Sequence, residues 1–358
     1  MKPLKGLLLV VLLLVLLIAG LILKTAWNAG EFKDIVPRNT GMCRLISGVQ
    51  SSEDITINPR TGMAFISSDA RRQWFAGGSA GAQGAIFGFD VSSTRPTLIR
   101  LTKDLGIEFH PHGIGLYLPD EGIASLFVVN HKSEGQFVEI FDIRNQTLWH
   151  RASISGKVMH SPNDVIPVGP NAFYVTNDHG STSPLGRKLE DYLQLARSYV
   201  LYYDGKGFRK VAENIAYANG INISHDGKTV YVASTIAGGI RLYERDITSG
   251  SLTFQKAMDL GTGVDNIEVD SQGNLWIGAH PKLLTFVKYA KDPNILSPSQ
   301  VLEVRFHGDE KYTVEEIYQN RGSPLSGASV AAVFGRRLMV GSVFDRGFLL
   351  CDLPPGIK

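Results

Sequence analysis

The chain has 358 residues, enough for one large domain or two small ones. Lysine and arginine (36) nearly balance aspartate and glutamate (34), so no nucleic-acid partner is indicated by charge. Thirty-eight glycines suit the many tight turns of an all-β architecture.

Lys2 and Lys5 precede an uncharged run from Gly6 to Leu23, which Lys24 closes. Its 18 residues are just enough to span a bilayer as a helix. The run is longer than the apolar core of a cleaved signal, and no small-x-small site follows it. Residues 1–24 therefore read as an uncleaved signal-anchor and 25–42 as a polar stalk. The flanking positive charges place residues 43–358 on the extracytoplasmic side, membrane-anchored or, if the segment is cut, secreted. Disulfides persist there. Cys43 precedes the first repeat described below and Cys351 follows the last, so a bridge would tie the two ends of a closed ring; the alternative is two independent buried thiols. Asn145-Gln146-Thr147 and Asn222-Ile223-Ser224 match the glycosylation acceptor pattern, the second inside a predicted strand.

From residue 43 onward a unit recurs six times: a short polar or glycine-bearing opening, an apolar run, a polar turn and a second apolar run. The openings are Glu53-Asp54, His112-Gly113, Asn163-Asp164, Asn219-Gly220, Asp265-Asn266 and Ser326-Gly327. The following turns include Asn58-Pro59-Arg60-Thr61-Gly62 and His225-Asp226-Gly227-Lys228. A period of about 45 to 65 residues is that of propeller blades. The pattern predicts an all-β, six-bladed β-propeller behind an N-terminal hydrophobic signal-anchor helix. Two stretches interrupt it. Arg71 to Gln83, rich in Gly and Ala, reads as a flexible loop. Leu189, Tyr192, Leu193 and Ala196 have helical spacing and predict a short amphipathic helix. Either segment is a candidate lid over one mouth of the ring.

Equivalent positions in a propeller face one axis, so the openings bring their side chains together. Glu53, Asn163, Asn219, Asp265 and Asn266 offer oxygen donors with a formal charge of −2, a set suited to Ca²⁺. Alternation along a strand would direct Asp54 and Asp164 to a second site. Asn-Gly and Asp-Asn pairs are also ordinary turn residues; their shared place in the repeat favours the ligand reading. His112 occupies the same place in the second repeat, and His131 ends the paired strand. An imidazole beside a Lewis-acidic metal can take a proton from water. Asp178-His179 and His280 sit at comparable strand ends.

With these residues on the page, the chain resembles the serum paraoxonase/arylesterase family. The matching segments run in order from about residue 43 to 352. They include Ser52-Glu53-Asp54, Pro111-His112-Gly113-Ile114, Val128-Val129-Asn130-His131, Asn163-Asp164, Thr176-Asn177-Asp178-His179, Ala218-Asn219-Gly220, Val264-Asp265-Asn266-Ile267 and His280-Pro281. The resemblance implies a six-bladed propeller with two Ca²⁺ ions in its tunnel. It gives the catalytic ion to Glu53, Asn163, Asn219, Asp265 and Asn266, and the structural ion to Asp54, Asp164 and the carbonyl of Ile114. It makes His112 and His131 the catalytic dyad, pairs Cys43 with Cys351, and matches the retained N-terminal apolar segment. The chain departs from the family at Ala279, where the family has a free cysteine, and in residues 71–83, which do not resemble the family's active-site flap.

The expected function is calcium-dependent hydrolysis of carboxylic esters and lactones, an arylesterase or lactonase acting on small molecules. Ca²⁺ would polarise the substrate carbonyl while the histidine dyad activates water; Asp265 or Glu53 is an alternative base or nucleophile. Competing expectations are a non-catalytic, calcium-stabilised binding or scaffold module and a propeller hydrolase of sugar lactones.

Overall fold

The computed structural model describes residues 2–39, 41–75, 83–103, 105–145, 147–308 and 311–355. Six antiparallel sheets, each built largely from consecutive strands, form the six blades. The innermost strands are, in blade order, Asp54–Ile57, Pro111–Tyr117, Pro162–Pro167, Ala218–Ile223, Gly263–Val269 and Ala328–Phe334. Blades 1 to 4 have four strands each, taken in sequence order. Arg38–Asn39 adds a fifth strand to the edge of blade 5.

Blade 6 closes the ring. Its own chain supplies Ala328–Phe334, Arg337–Ser342 and Phe348–Asp352, and the outer place is filled by Met42–Ile46 from the start of the domain. Cys43 lies opposite Cys351 in that last ladder, and the two form a disulfide. The reading as independent thiols is thereby set aside.

The second strands carry β-branched and aromatic runs because both their faces are covered. Val230, Tyr231, Val232 and Ala233 are all buried, for example. The core divides into six apolar clusters, one at each junction between neighbouring blades. Ile55, Phe89, Met339 and Phe348 close the junction of blades 6 and 1; Phe127, Val138, Phe173 and Tyr199 close that of blades 2 and 3. Each such side chain contributes about 1.5–3 kcal/mol when fully buried. No blade covers its own faces, so the ring must close to bury them.

Among the described residues, four helices accompany the blades: α1 (Lys2–Asn28), α2 (Arg71–Phe75), α3 (Pro184–Leu193) and α4 (Leu283–Lys291). Lys5–Asn28 of α1 is 24 residues long, apolar and exposed, enough to cross a membrane. Its foot is tied to the body. The Thr25 hydroxyl donates to the Tyr192 carbonyl at 3.0 Å, and the Leu283 amide donates to the Ala29 carbonyl at 2.9 Å.

Helix α3 begins five residues earlier than the apolar spacing suggests and stops before Ala196. Local chemistry sets both ends. Ser183 caps it by accepting from the Gly186 amide at 3.1 Å, Pro184 fits the first turn, and Gln194 ends it in the left-handed conformation, φ 56°. Helix α2 occupies the first part of the stretch expected to be a loop; residues 76–82 lie outside the described residues.

Candidate active site

The openings sit at one end of the innermost strands, and five of those strands break register there. The breaks fall between Pro111 and Ile114, Pro162 and Val165, Ala218 and Ile221, Val264 and Ile267, and Ala328 and Val330. A β-bulge re-aims side chains that simple alternation would send to opposite faces. Glycine appears in these bulges for a steric reason. A Cβ on Gly220 would lie 2.6 Å from Asn266 Cα, and one on Gly113 would strike the backbone of Asp164. The inner strands pack too closely for any other residue.

Glu53, Asn163, Asn219 and Asp265 line one cleft of about 400 Å³, with His112 and His280. Asn266 stands behind Glu53 and donates to its carboxylate at 3.2 Å and its carbonyl at 3.1 Å. The three asparagines share one arrangement. Each NH₂ meets a protein acceptor: Asn163 meets Asp178 at 3.5 Å, Asn219 meets Thr235 at 3.1 Å, and Asn266 meets Glu53. Each amide oxygen is buried without a hydrogen-bond partner, as is Oε2 of Glu53. Orphaned buried oxygens are costly unless something electropositive meets them. A hard cation with oxygen preference fits this carboxylate-and-amide set. Among the described residues, no group of three or more His, Cys, Asp and Glu side chains forms a metal cluster without the amides.

Asp54 and Asp164 lie among the same strands. Asp54 accepts from the Ile55 amide at 2.9 Å and from the Ile114 amide, in the next blade, at 2.7 Å. Asp164 accepts from the Val165 amide and, across to blade 4, the Ile221 amide, both at 2.7 Å. Ile114 thus meets Asp54 through its N–H. Burial pushes both carboxyls well above the usual range, and the charges of Glu53 and Asp54, respectively, add to that. Asp265 is likewise raised, chiefly by burial, although its hydrogen bond with His280 opposes this. Such crowding of buried carboxylates calls for added positive charge.

The histidines form a directed chain. His131 Nδ1 faces Oε1 of the Gln136 side-chain amide, so it carries the proton and donates. His131 Nε2 then accepts from His112 Nδ1 at 2.8 Å. His112 Nε2 is left as the lone pair, 3.4 Å from Glu53 Oε1. Burial, with the neighbouring His112, drives the His131 pKa down to about 3, so that ring stays neutral. Burial opposes the charge on Glu53, but His112 when it carries a proton on Nε2, the Arg71 guanidinium and the Asn266 hydrogen bond together hold its pKa at about 2. His280 Nε2 donates to Asp265 Oδ2 at 2.8 Å and stacks on Phe286, ring centroids 3.8 Å apart. His179 lies to one side, between Asp178 at 2.6 Å and Asp191 at 3.0 Å.

Some lining residues carry no signal in the repeat pattern. Arg71 on α2, Tyr217 and Thr235 beside blade 4, Phe286 on α4, Phe344 in the blade 6 loop, and Thr25 and Ala29 at the foot of α1 all face the cleft. The nearest hint was Arg71's place at the edge of the aperiodic stretch.

Residues 34–353 match the family model described as Arylesterase. Serum paraoxonase/arylesterase 2 of Rattus norvegicus is 39% identical over 318 residues, covering 87% of this chain and 88% of the relative. Serum paraoxonase/arylesterase 1 of Homo sapiens is 36% identical over 338 residues, covering 92% and 93%. Solved structures share the fold at lower identity. A luciferin-regenerating enzyme has a TM-score of 0.56 at 14% identity, covering 89% of this chain and 97% of its own. The calcium-binding protein regucalcin of Agrobacterium tumefaciens has a TM-score of 0.53 at 15% identity, covering 89% and 95%. With a family match over most of its length and relatives well above 30% identity, the chain belongs to the paraoxonase/arylesterase family of hydrolases.

Proposed function

We propose that this protein is a calcium-dependent hydrolase of carboxylic esters and lactones, and that its catalytic centre is the oxygen-lined cleft beside His112. The observation that carries the reading is the orientation of the three asparagines, whose amide oxygens are buried without hydrogen-bond partners beside the Glu53 carboxylate. Glu53, Asn163, Asn219, Asp265 and Asn266 would hold one Ca²⁺; Asp54, Asp164 and the Ile114 carbonyl would hold a second, structural one. Calcium bound at the first set supplies a fixed positive charge that favours oxyanion formation on a carbonyl.

The chain's own residues do the rest. His112 Nε2 presents its lone pair to the cleft and takes a proton from the attacking water. The proton then resides on Nε2, opposite Glu53 Oε1 at 3.4 Å, where the carboxylate stabilises the imidazolium. His131 stays neutral and fixes the tautomer and tilt of His112 from behind. The pairing with His280 and its stack on Phe286 hold Asp265 in one orientation. Phe286, Phe344 and Val343 give the cleft an apolar wall that excludes bulk water from the reacting carbonyl.

The division of the chain belongs to the same reading: residues 1–24 anchor it, 25–42 link anchor to body while lending Arg38–Asn39 to blade 5 and Met42 to blade 6, and 43–358 form the hydrolase. An exposed apolar helix and a disulfide fit the secretory pathway. The propeller then sits on the extracytoplasmic face with its cleft beside the anchor, since Thr25 and Ala29 line the mouth. For His112→Gln, turnover of phenyl acetate and of a medium-chain lactone should fall by about 10²–10⁴, with calcium affinity and melting temperature retained. Undiminished turnover would remove His112 from the role of base.

A further inference from the structure

Arg71 is a buried cation in the cleft wall with no direct part in the hydrolytic mechanism. It is 6% exposed and reaches the cleft from α2. Its Nη2 donates to the Pro111 carbonyl at 2.9 Å and lies 3.5 Å from Glu53 Oε2. Its Nε is buried with no hydrogen-bond partner. A guanidinium held at one end, with its Nε unpaired and the side chain lining the cleft, is poorly explained as a counter-ion for Glu53 alone. His112 already faces that carboxylate.

The charge balance points the same way. Glu53, Asp191 and Asp265 are the lining carboxylates, and Arg71, Lys188 and Lys291 the lining cations. Asp191 is further taken up by His179 at 3.0 Å. Protein charge alone therefore leaves the cleft near neutral, and a divalent cation in the oxygen set makes it net positive. Such a cleft draws anions through its lysine-bearing mouth. Opposite the cations stands the apolar wall of Phe286 and Phe344.

We infer that Arg71 is a specificity-determining residue that binds a carboxylate on the substrate itself, so that the preferred substrates are esters or lactones with an anionic group a short spacer from the reacting carbonyl. This rests on the hydrolase reading above. The chemistry needs no further reactant: water adds to the carbonyl carbon, the acyl C–O bond breaks, the alcohol leaves with a proton, and the acid product is a dicarboxylate. Arg71 supplies charge-assisted hydrogen bonds to the group that does not react.

The test compares phenyl acetate with its carboxylate-bearing counterpart monophenyl succinate, on the full chain in detergent with calcium. The quantity read is the ratio of kcat/KM for the acidic ester to that for the neutral one. Arg71→Met should lower this ratio about 10–100-fold, chiefly through KM for the acidic ester, with Arg71→Lys falling between. An unchanged ratio in Arg71→Met overturns the inference. Calorimetric binding of glutarate, with acetate as the single-carboxylate control, gives a readout independent of turnover. Wild type should prefer glutarate and Arg71→Met should lose that preference; no preference in wild type overturns the inference. If wild type cleaves neither ester, it is the hydrolase reading that fails, and glutarate binding still decides the role of Arg71.

Discussion

Replacing Thr235 by valine probes the orientation of the oxygen set without touching a proposed ligand. The Thr235 hydroxyl accepts from Asn219 Nδ2 at 3.1 Å and donates to the Val264 carbonyl at 2.7 Å. It is 6% exposed, so water is a poor substitute. Valine keeps the shape and deletes the oxygen. The Asn219 NH₂ then loses its acceptor, and the amide gains by rotating, which turns Oδ1 away from the other donors. Leaving a buried donor unpaired costs about 1–3 kcal/mol, roughly a 5- to 150-fold loss in an equilibrium constant. Calcium titration by calorimetry should show a loss of that size at one site, with circular dichroism unchanged. Unaltered affinity at both sites would mean that Asn219 does not face a cation, and the ligand assignment would fall with it.

Two further outcomes concern stability. Replacing Cys43 and Cys351 by serine opens a loop of 308 residues' separation. The chain-entropy treatment gives an upper loss of about 5–6 kcal/mol, or roughly 8 °C in melting temperature for a domain of this size, measurable by calorimetry; an unshifted melting temperature would show that the blade 6 ladder closes the ring unaided. His179 adds a pH dependence. Burial opposes its charge, but Asp178 and Asp191 raise its pKa from 6.5 to about 10. A raised folded-state value means that the stabilisation is fully present below pH 6.5 and is lost as pH climbs through 10. Denaturant titrations should therefore show stability falling from pH 7 to 10, and a flatter profile in His179→Asn.

Much of the site was legible because a propeller converts sequence period into spatial convergence. Glu53, Asn163, Asn219 and Asp265 share a place in the repeat, and that place is an end of the ring's axis. Simple alternation was a poorer guide to the fine geometry, because the bulges at Asn163-Asp164 and Asp265-Asn266 locally replace it. The glycines of His112-Gly113 and Asn219-Gly220, readable as turn formers, lie in strands and are required by close strand packing. Arg71, Phe286 and the foot of α1 were not legible. They come from non-repeating insertions whose place depends on tertiary contacts such as the Leu283 amide on the Ala29 carbonyl. Helix α4 is of the same kind, with no side-chain cap at its start. The two boundaries of α3 were set by Ser183 and Gln194 rather than by the apolar stripe.

The most direct measurement of the central claim is hydrolysis of phenyl acetate and a medium-chain lactone by the full chain in detergent, before chelation, after it, and after calcium is returned. The account predicts that activity is lost on chelation at a temperature where circular dichroism still reports the folded propeller, and that calcium restores it. Full activity in the chelated, folded protein would contradict a catalytic centre built on the oxygens of Glu53, Asn163, Asn219, Asp265 and Asn266.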